Sequence, residues 1–151
     1  MISRDENAAS TELSYIFTFL LGVALLSTFT FWTYNIETAT RERWNEGAIE
    51  ANLDDIAEAI ERADTYARNY DNGTYSEKVA WRFTEADETL LSLSLTDTEL
   101  ILIDSTGDLT TQVELSGMGT GHLETQFSIS GYTHIWVIHE DGKTRIDTAP
   151  L

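Results

Sequence analysis

Hydrophobic positions follow three regimes along this chain, each with its own period. From Leu13 to Ile36 the run LSYIFTFLLGVALLSTFTFWTYNI holds no charged residue, the nearest charges being Glu12 and Glu37. As an α-helix rising about 1.5 Å per residue it reaches roughly 36 Å, enough to cross a hydrocarbon core of about 30 Å with some tilt. Lipid offers backbone N–H and C=O groups no partners, so a segment of this kind must satisfy them within a helix. Ser14, Thr18, Ser27, Thr28, Thr30 and Thr33 can bond back to their own helix. Gly22 and these small residues also admit close approach of a second helix. Phe29, Phe31, Trp32 and Tyr34 gather near the far end, where rings with a polar edge favour an interface. The competing reading is a fully buried core helix, which a chain of 151 residues can hardly enclose.

From Glu37 the pattern becomes amphipathic. Ile49, Leu53, Ile56, Ile60, Ala63, Ala67 and Tyr70 recur at alternating spacings of four and three, a stripe on one helical face. Glu50, Asp54, Asp55, Glu58, Glu61, Arg62, Asp64 and Arg68 are expected on the other sides. Thr38 to Ala48 has no helix breaker except Gly47, so one long helix is expected, with Gly47 as the place for a bend. It should end at Asn69 to Gly73, with Gly73 supplying a left-handed residue. The stripe is too short to argue for a coiled coil and suits packing against a sheet.

From Thr74 the period drops to two. Tyr75, Val79, Trp81 and Phe83 alternate with polar residues, as do Leu91, Leu93 and Leu95, and later Leu123, Phe127 and Ile129. Leu100 to Ile103 and Ile135 to Ile138 are continuous apolar runs suited to central strands covered on both sides. Turn signals fall at Ser105 to Asp108, Ser116 to Gly121, Ser130-Gly131 and Asp141-Gly142. About seven strands with no intervening helix are expected. The fold class is therefore α+β: a short N-terminal tail (1–12), a transmembrane helix (13–36), an amphipathic helix (37–72) and a small antiparallel β domain (73–151) with one face closed by that helix.

Charge narrows the partners. Nine basic residues stand against 26 acidic ones, a net charge of −17 spread along the chain, and only two of the nine are lysines. Such a field repels nucleic acid and anionic headgroups, so no nucleic-acid partner is expected. Dispersed carboxylates with few lysines suit a halophilic protein kept soluble in concentrated salt, where screening relieves self-repulsion. With no cysteine, disulfides, thiolate metal sites and cysteine nucleophiles are excluded.

Candidate chemistry is sparse. His122, His134 and His139 are the only histidines, and the odd spacing of the last two puts them on opposite faces of a strand; all three are expected at the surface or an edge. No nucleophile elbow supports a Ser–His–Asp set. Gly117, Gly119 and Gly121 form G-x-G-x-G with no helix start behind it, which reads as a loop. Asp104, Asp108, Asp141 and Asp147 match no calcium loop and are expected to be solvated. The chain is therefore expected not to be an enzyme, with no catalytic residue, cofactor or metal; an anchored hydrolase is the remotest alternative. Asn72-Gly73-Thr74 is an N-glycosylation acceptor triplet, making Asn72 a possible modification site.

The order of segments at the N-terminus resembles the class III signal peptide of type IV pilins and their archaeal relatives, in which a basic leader is removed just before the membrane helix. Arg4, the small pair Ala8 and Ala9, Glu12 and the apolar run from Leu13 carry the resemblance. Asp5, Glu6 and Asn7 depart from the tighter basic-small junction that is usual there. The whole plan is similar to that of haloarchaeal type IV pilin-like proteins. The resemblance implies a structural role in a surface filament. Its partners would be copies of itself or other pilin-like subunits, the membrane, a prepilin peptidase and the assembly machinery. Leader processing would involve Arg4, Ala8 and Ala9; assembly would involve Glu12, Leu20, Leu21, Leu25 and Phe29. The C-terminal domain would lie outside the cell. Flanking charge alone does not orient the helix, since Arg4 precedes it and Arg41 and Arg43 follow it. The alternative is an unprocessed signal anchor carrying a non-polymerising β domain, a stator or surface-binding module.

Overall fold

The computed structural model describes residues 3–70, 73–116 and 121–151, with side chains from residue 11 onward. The chain divides into two units, residues 1–42 and 43–151, and one helix, α1 (Ser3–Asn69), contributes to both.

In the first unit every residue from 11 to 37 is exposed. Thr18, Ser27, Thr28, Thr30 and Thr33 donate to the carbonyls of Ser14, Val23, Ala24, Leu26 and Phe29 at 2.8–2.9 Å, as the sequence suggested. Each hydroxyl is thereby removed from the otherwise apolar surface. The helix is long and apolar enough to cross a membrane, with a mean hydropathy of 1.8 over its most apolar window and none of that window buried.

The second unit is a head built on the rest of α1, which runs unbroken through Gly47. Eight strands follow among the described residues: β1 (Tyr75–Ala80), β2 (Leu91–Leu95), β3 (Glu99–Asp104), β4 (Thr111–Glu114), β5 (Gly121–His122), β6 (Thr125–Ser128), β7 (His134–Glu140) and β8 (Lys143–Asp147). They form two four-stranded sheets, β1-β7-β8-β5 and β4-β3-β2-β6. The expected antiparallel β domain of about seven strands is present, with one departure in its pairing. The two-residue β5 pairs parallel with β8. A short 3-10 turn, Glu88–Leu90, also intervenes between β1 and β2.

The helical stripe packs as its spacing requires. Ile49, Leu53, Ile56, Ile60 and Ala63 are buried, and join Leu91, Leu93, Leu95, Leu100, Leu102, Ile135, Val137 and Ile146 in one apolar cluster. Tyr70 is exposed; its ring stacks on Tyr66 at 4.8 Å instead of entering the core. Asn52, fully buried, donates from Nδ2 to the Arg82 carbonyl at 3.0 Å and accepts the Arg82 N–H at 2.7 Å. It acts as a strand would, completing the backbone of a segment that has left β1. That departure explains Phe83, which alternation placed inward and which is exposed. Leu123 is likewise exposed, because it lies between β5 and β6.

Of the two continuous apolar runs, Ile135 to Ile138 lies in an interior strand with Ile135, Val137 and Ile138 all buried. Leu100 to Ile103 is covered on one face only: Leu100 and Leu102 are buried, whereas Ile103 is 36% exposed. Asp141 and Gly142 join β7 to β8 with φ of 53° and 77°, the paired positive values that suit a two-residue hairpin to the strands' twist.

Candidate functional site

The first candidate is the apolar surface of α1. Leu21, Leu25 and Phe29 recur at i+4 and make one ridge, with Leu20 beside it. All four are more than half exposed, and the Phe29 ring lies 6.1 Å from that of Trp32. Glu12 is exposed at the start of this stretch. Between Leu13 and Ile36, 15 large apolar side chains have no cover within the chain. At about 1.5–3 kcal/mol each for burial, they outweigh the net stability of roughly 5–15 kcal/mol typical of a whole domain. A surface of this length and apolarity is compatible with a transmembrane or membrane-anchor helix.

Arg4, Ala8 and Ala9 fall within the backbone of α1, and their side chains lie outside the described residues. Asn72, Gly117 and Gly119 also lie outside the described residues. Beside Asn72, a Cβ at Gly73 would meet the far end of the Tyr66 side chain at 2.8 Å, so Tyr66 would have to shift to admit one.

The second candidate was not foreseen. His122 and His139, expected at the surface, are 5% and 4% exposed, and Asp64, expected on the solvated side of the helix, is 4% exposed. Asp64 Oδ2 lies 2.9 Å from His122 Nε2, and Asp64 Oδ1 accepts the Thr144 hydroxyl at 2.7 Å. His122 Nδ1 lies 2.9 Å from the carbonyl oxygen of Asp97, whose carboxylate accepts the His122 N–H at 3.1 Å. A carbonyl only accepts, so Nδ1 carries a proton. The hydrogen bond to Asp64 raises the His122 pKa above its ordinary value of 6.5 despite burial. Nε2 faces the Asp64 carboxyl at hydrogen-bond distance, so one proton lies between the two groups. His139 Nδ1, 3.0 Å from Thr144 Oγ1, donates to it, because that hydroxyl already gives its own proton to Asp64.

Acid, imidazole and hydroxyl are therefore together, but not as a nucleophile needs them. The Thr144 proton goes to Asp64, and the neighbouring His139 nitrogen acts as a donor where a general base must accept. Thr144 is fully buried, so no substrate reaches it. The arrangement ties α1 to β5, β7 and β8. One signal was present in the sequence: Asp64 follows Ala57 and Ile60 at helical spacing, which puts a carboxylate beside the buried row.

Asp104, expected to be solvated, is 7% exposed and holds its own turn, accepting the backbone N–H groups of Thr106 and Leu109 at 3.0 and 3.2 Å. The Thr106 hydroxyl, which also donates to it, and then these backbone bonds lower its pKa. Asp108 and Asp141 are exposed, and Asp147 accepts the Thr148 N–H at 2.7 Å. Among the described residues no three carboxylates or histidines are placed to hold a metal ion.

Fold and site together define an α+β protein with an apolar N-terminal helix and a two-sheet head. No protein-family model, curated protein or solved structure matches the chain.

Proposed function

We propose that this chain is a structural subunit, major or minor, of an archaeal type IV pilus-like surface filament. The observation that carries the reading is the unbroken exposure of residues 11–37 on a helix this apolar. Such a surface has two stable environments, a bilayer and a bundle of its own copies, and a pilin subunit passes from one to the other. Van der Waals packing of Leu20, Leu21, Leu25 and Phe29 and close approach at Gly22 would hold the bundle. Glu12 would set register against a neighbour's N-terminal amine. A prepilin peptidase would cut near Ala8 or Ala9, the head would face the exterior, and its carboxylates would keep it soluble in brine. No catalytic residue, cofactor or metal enters this role.

A second reading is favoured by the head's self-contained apolar cluster, which needs no other subunit to close it. In that reading the chain is a membrane-anchored stator or surface-binding module that does not polymerise. Intact-mass analysis of the protein from its native membrane separates the two. A mature start between Ala8 and Ser10 supports the filament subunit. Retention of residues 1–7, with extraction as a monomer or small oligomer, replaces it with the anchored module.

A further inference from the structure

The two sheets turn faces of opposite character outward. Their inner faces share one apolar cluster, so alternate residues of each strand point away from it. On the first sheet the register sets Lys78 and Asp147 on either side of Trp136, Arg145 beside Ile138, and Lys143 beside Glu140. Residues 43–151 hold 21 acidic and seven basic residues, a balance of 7 − 21 = −14. Three of the seven basic residues, including both lysines, lie on this one outer face. Its two acids, Glu140 and Asp147, are both engaged by Arg145 at 3.2 and 3.8 Å. Neither lysine has an ion pair among the described residues.

The outer face of the second sheet has no basic residue. Ser92 and Ser94 stand opposite Ile103 and Ile101, an uncharged band in an otherwise acidic head. The charges on this face are Glu99 and Glu114, set directly opposite each other. Like charges in that position oppose pairing of their strands, and neither has a cation among the described residues.

We infer that the first sheet's outer face in one copy of this chain docks on the second sheet's outer face in a neighbouring copy. Lys78 and Lys143 meet the Glu99–Glu114 pair, and Trp136 covers Ile101 and Ile103. The occupant is a second copy because the two complementary faces belong to the same head, one carrying three of its seven cations and the other none with two acids. Both faces point away from a shared core, so each copy can engage one neighbour on either side. Such a heterologous contact repeats into a row and does not close as a symmetric dimer.

The contact is small. Four strands about 4.8 Å apart and about five residues long present roughly 300 Å². A self-sufficient interface takes about 800 Å² from each partner. It therefore forms among copies already gathered by their apolar helices, and in that respect rests on the function proposed above.

The chain has no cysteine, so introduced ones are unique. Full-length Ser76→Cys and full-length Gln112→Cys, one on each outer face, are reconstituted together at high density in lipid vesicles and treated with a short bis-maleimide. The mixed product is expected to exceed either self-product by at least about tenfold if the contact follows the complementary charges. Adding Lys78→Glu to the first protein should remove it, and adding Glu114→Lys to the second should restore it, with circular dichroism melts showing that every head is folded. Self-products in equal yield, or a mixed product indifferent to both charge changes, would overturn the inference. The vesicles need neither a processed leader nor a filament. A charge-dependent mixed product, with residues 1–7 found retained on the native protein, sustains the contact while removing the filament, and native filaments without that contact remove the contact alone.

Discussion

His122 Nε2 lies 2.9 Å from Asp64 Oδ2, joining the helix to β5 across 58 residues of sequence with both groups buried in the head. Burying two ions costs several kcal/mol apiece, and their attraction repays this only when the remaining donors and acceptors are met. Thr144 and the Asp97 carbonyl meet them here. The pair therefore contributes less to net stability than to specifying which helix turn faces which strand.

Stability should depend on pH through this ring. The groups around it are Asp64 from α1, Asp97 from the turn before β3, and Thr144 with His139 behind it. The folded head raises the His122 pKa above 6.5, so it binds the proton more tightly than the unfolded chain does. That contribution is fully present below the unfolded value and is lost as pH rises through the folded one. Melting temperatures should fall as pH rises above the ordinary histidine value of 6.5, and His122→Gln should flatten that slope. An equal slope in the variant would exclude His122 as its origin.

Removing one partner should be worse than removing both. His122→Leu leaves the Asp64 carboxylate buried without its partner and should cost about 3–5 kcal/mol. The Asp64→Leu/His122→Leu pair should recover much of that loss in chemical denaturation, since an apolar pair of similar volume carries no desolvation cost.

Asn52→Ala should destabilise the head by about 2–3 kcal/mol, because the Arg82 N–H and C=O are both left without partners. Asn52→Asp keeps the acceptor but sets a buried carboxylate oxygen against the Arg82 carbonyl, so its melt should fall at least as far as that of Asn52→Ala.

Salt should stabilise the head. The Debye length shrinks from about 10 Å at 0.1 M to about 3 Å at 1 M, which screens repulsion among its 21 acids. The circular dichroism melt should drop by several degrees on passing from molar to millimolar salt. An unchanged melt would remove the halophilic reading.

Leu25→Arg places a charge in the middle of the apolar run, at a cost of about 2.5–3.5 kcal/mol at a bilayer centre. Filaments should be lost while the head melts as before. Normal filaments from this variant would count against assembly through the helix.

Local features were the most legible. The four-three stripe ending at Ala63, the Asp141-Gly142 hairpin and the back-bonded threonines each depend on residues within a turn or two of one another, so spacing alone specifies them. Phe83 and Leu123 were misplaced because period two applies only while a strand lasts, and where β1 and β5 stop depends on their partners. The outer faces of the sheets were equally hidden, since Lys78 and Lys143 meet on one face only through β7.

The order of the amino acids by itself determined a long apolar helix, an amphipathic continuation and an acidic β-rich head, because solvent and backbone geometry act on neighbours in sequence. Only the tertiary structure decided that the strands form two sheets, that Asp64 and His122 are hydrogen-bonded to each other inside the head, and that both lysines share one face. Those outcomes depend on strand register and on helix rotation about its axis, which are set by groups tens of residues apart competing for the same interior.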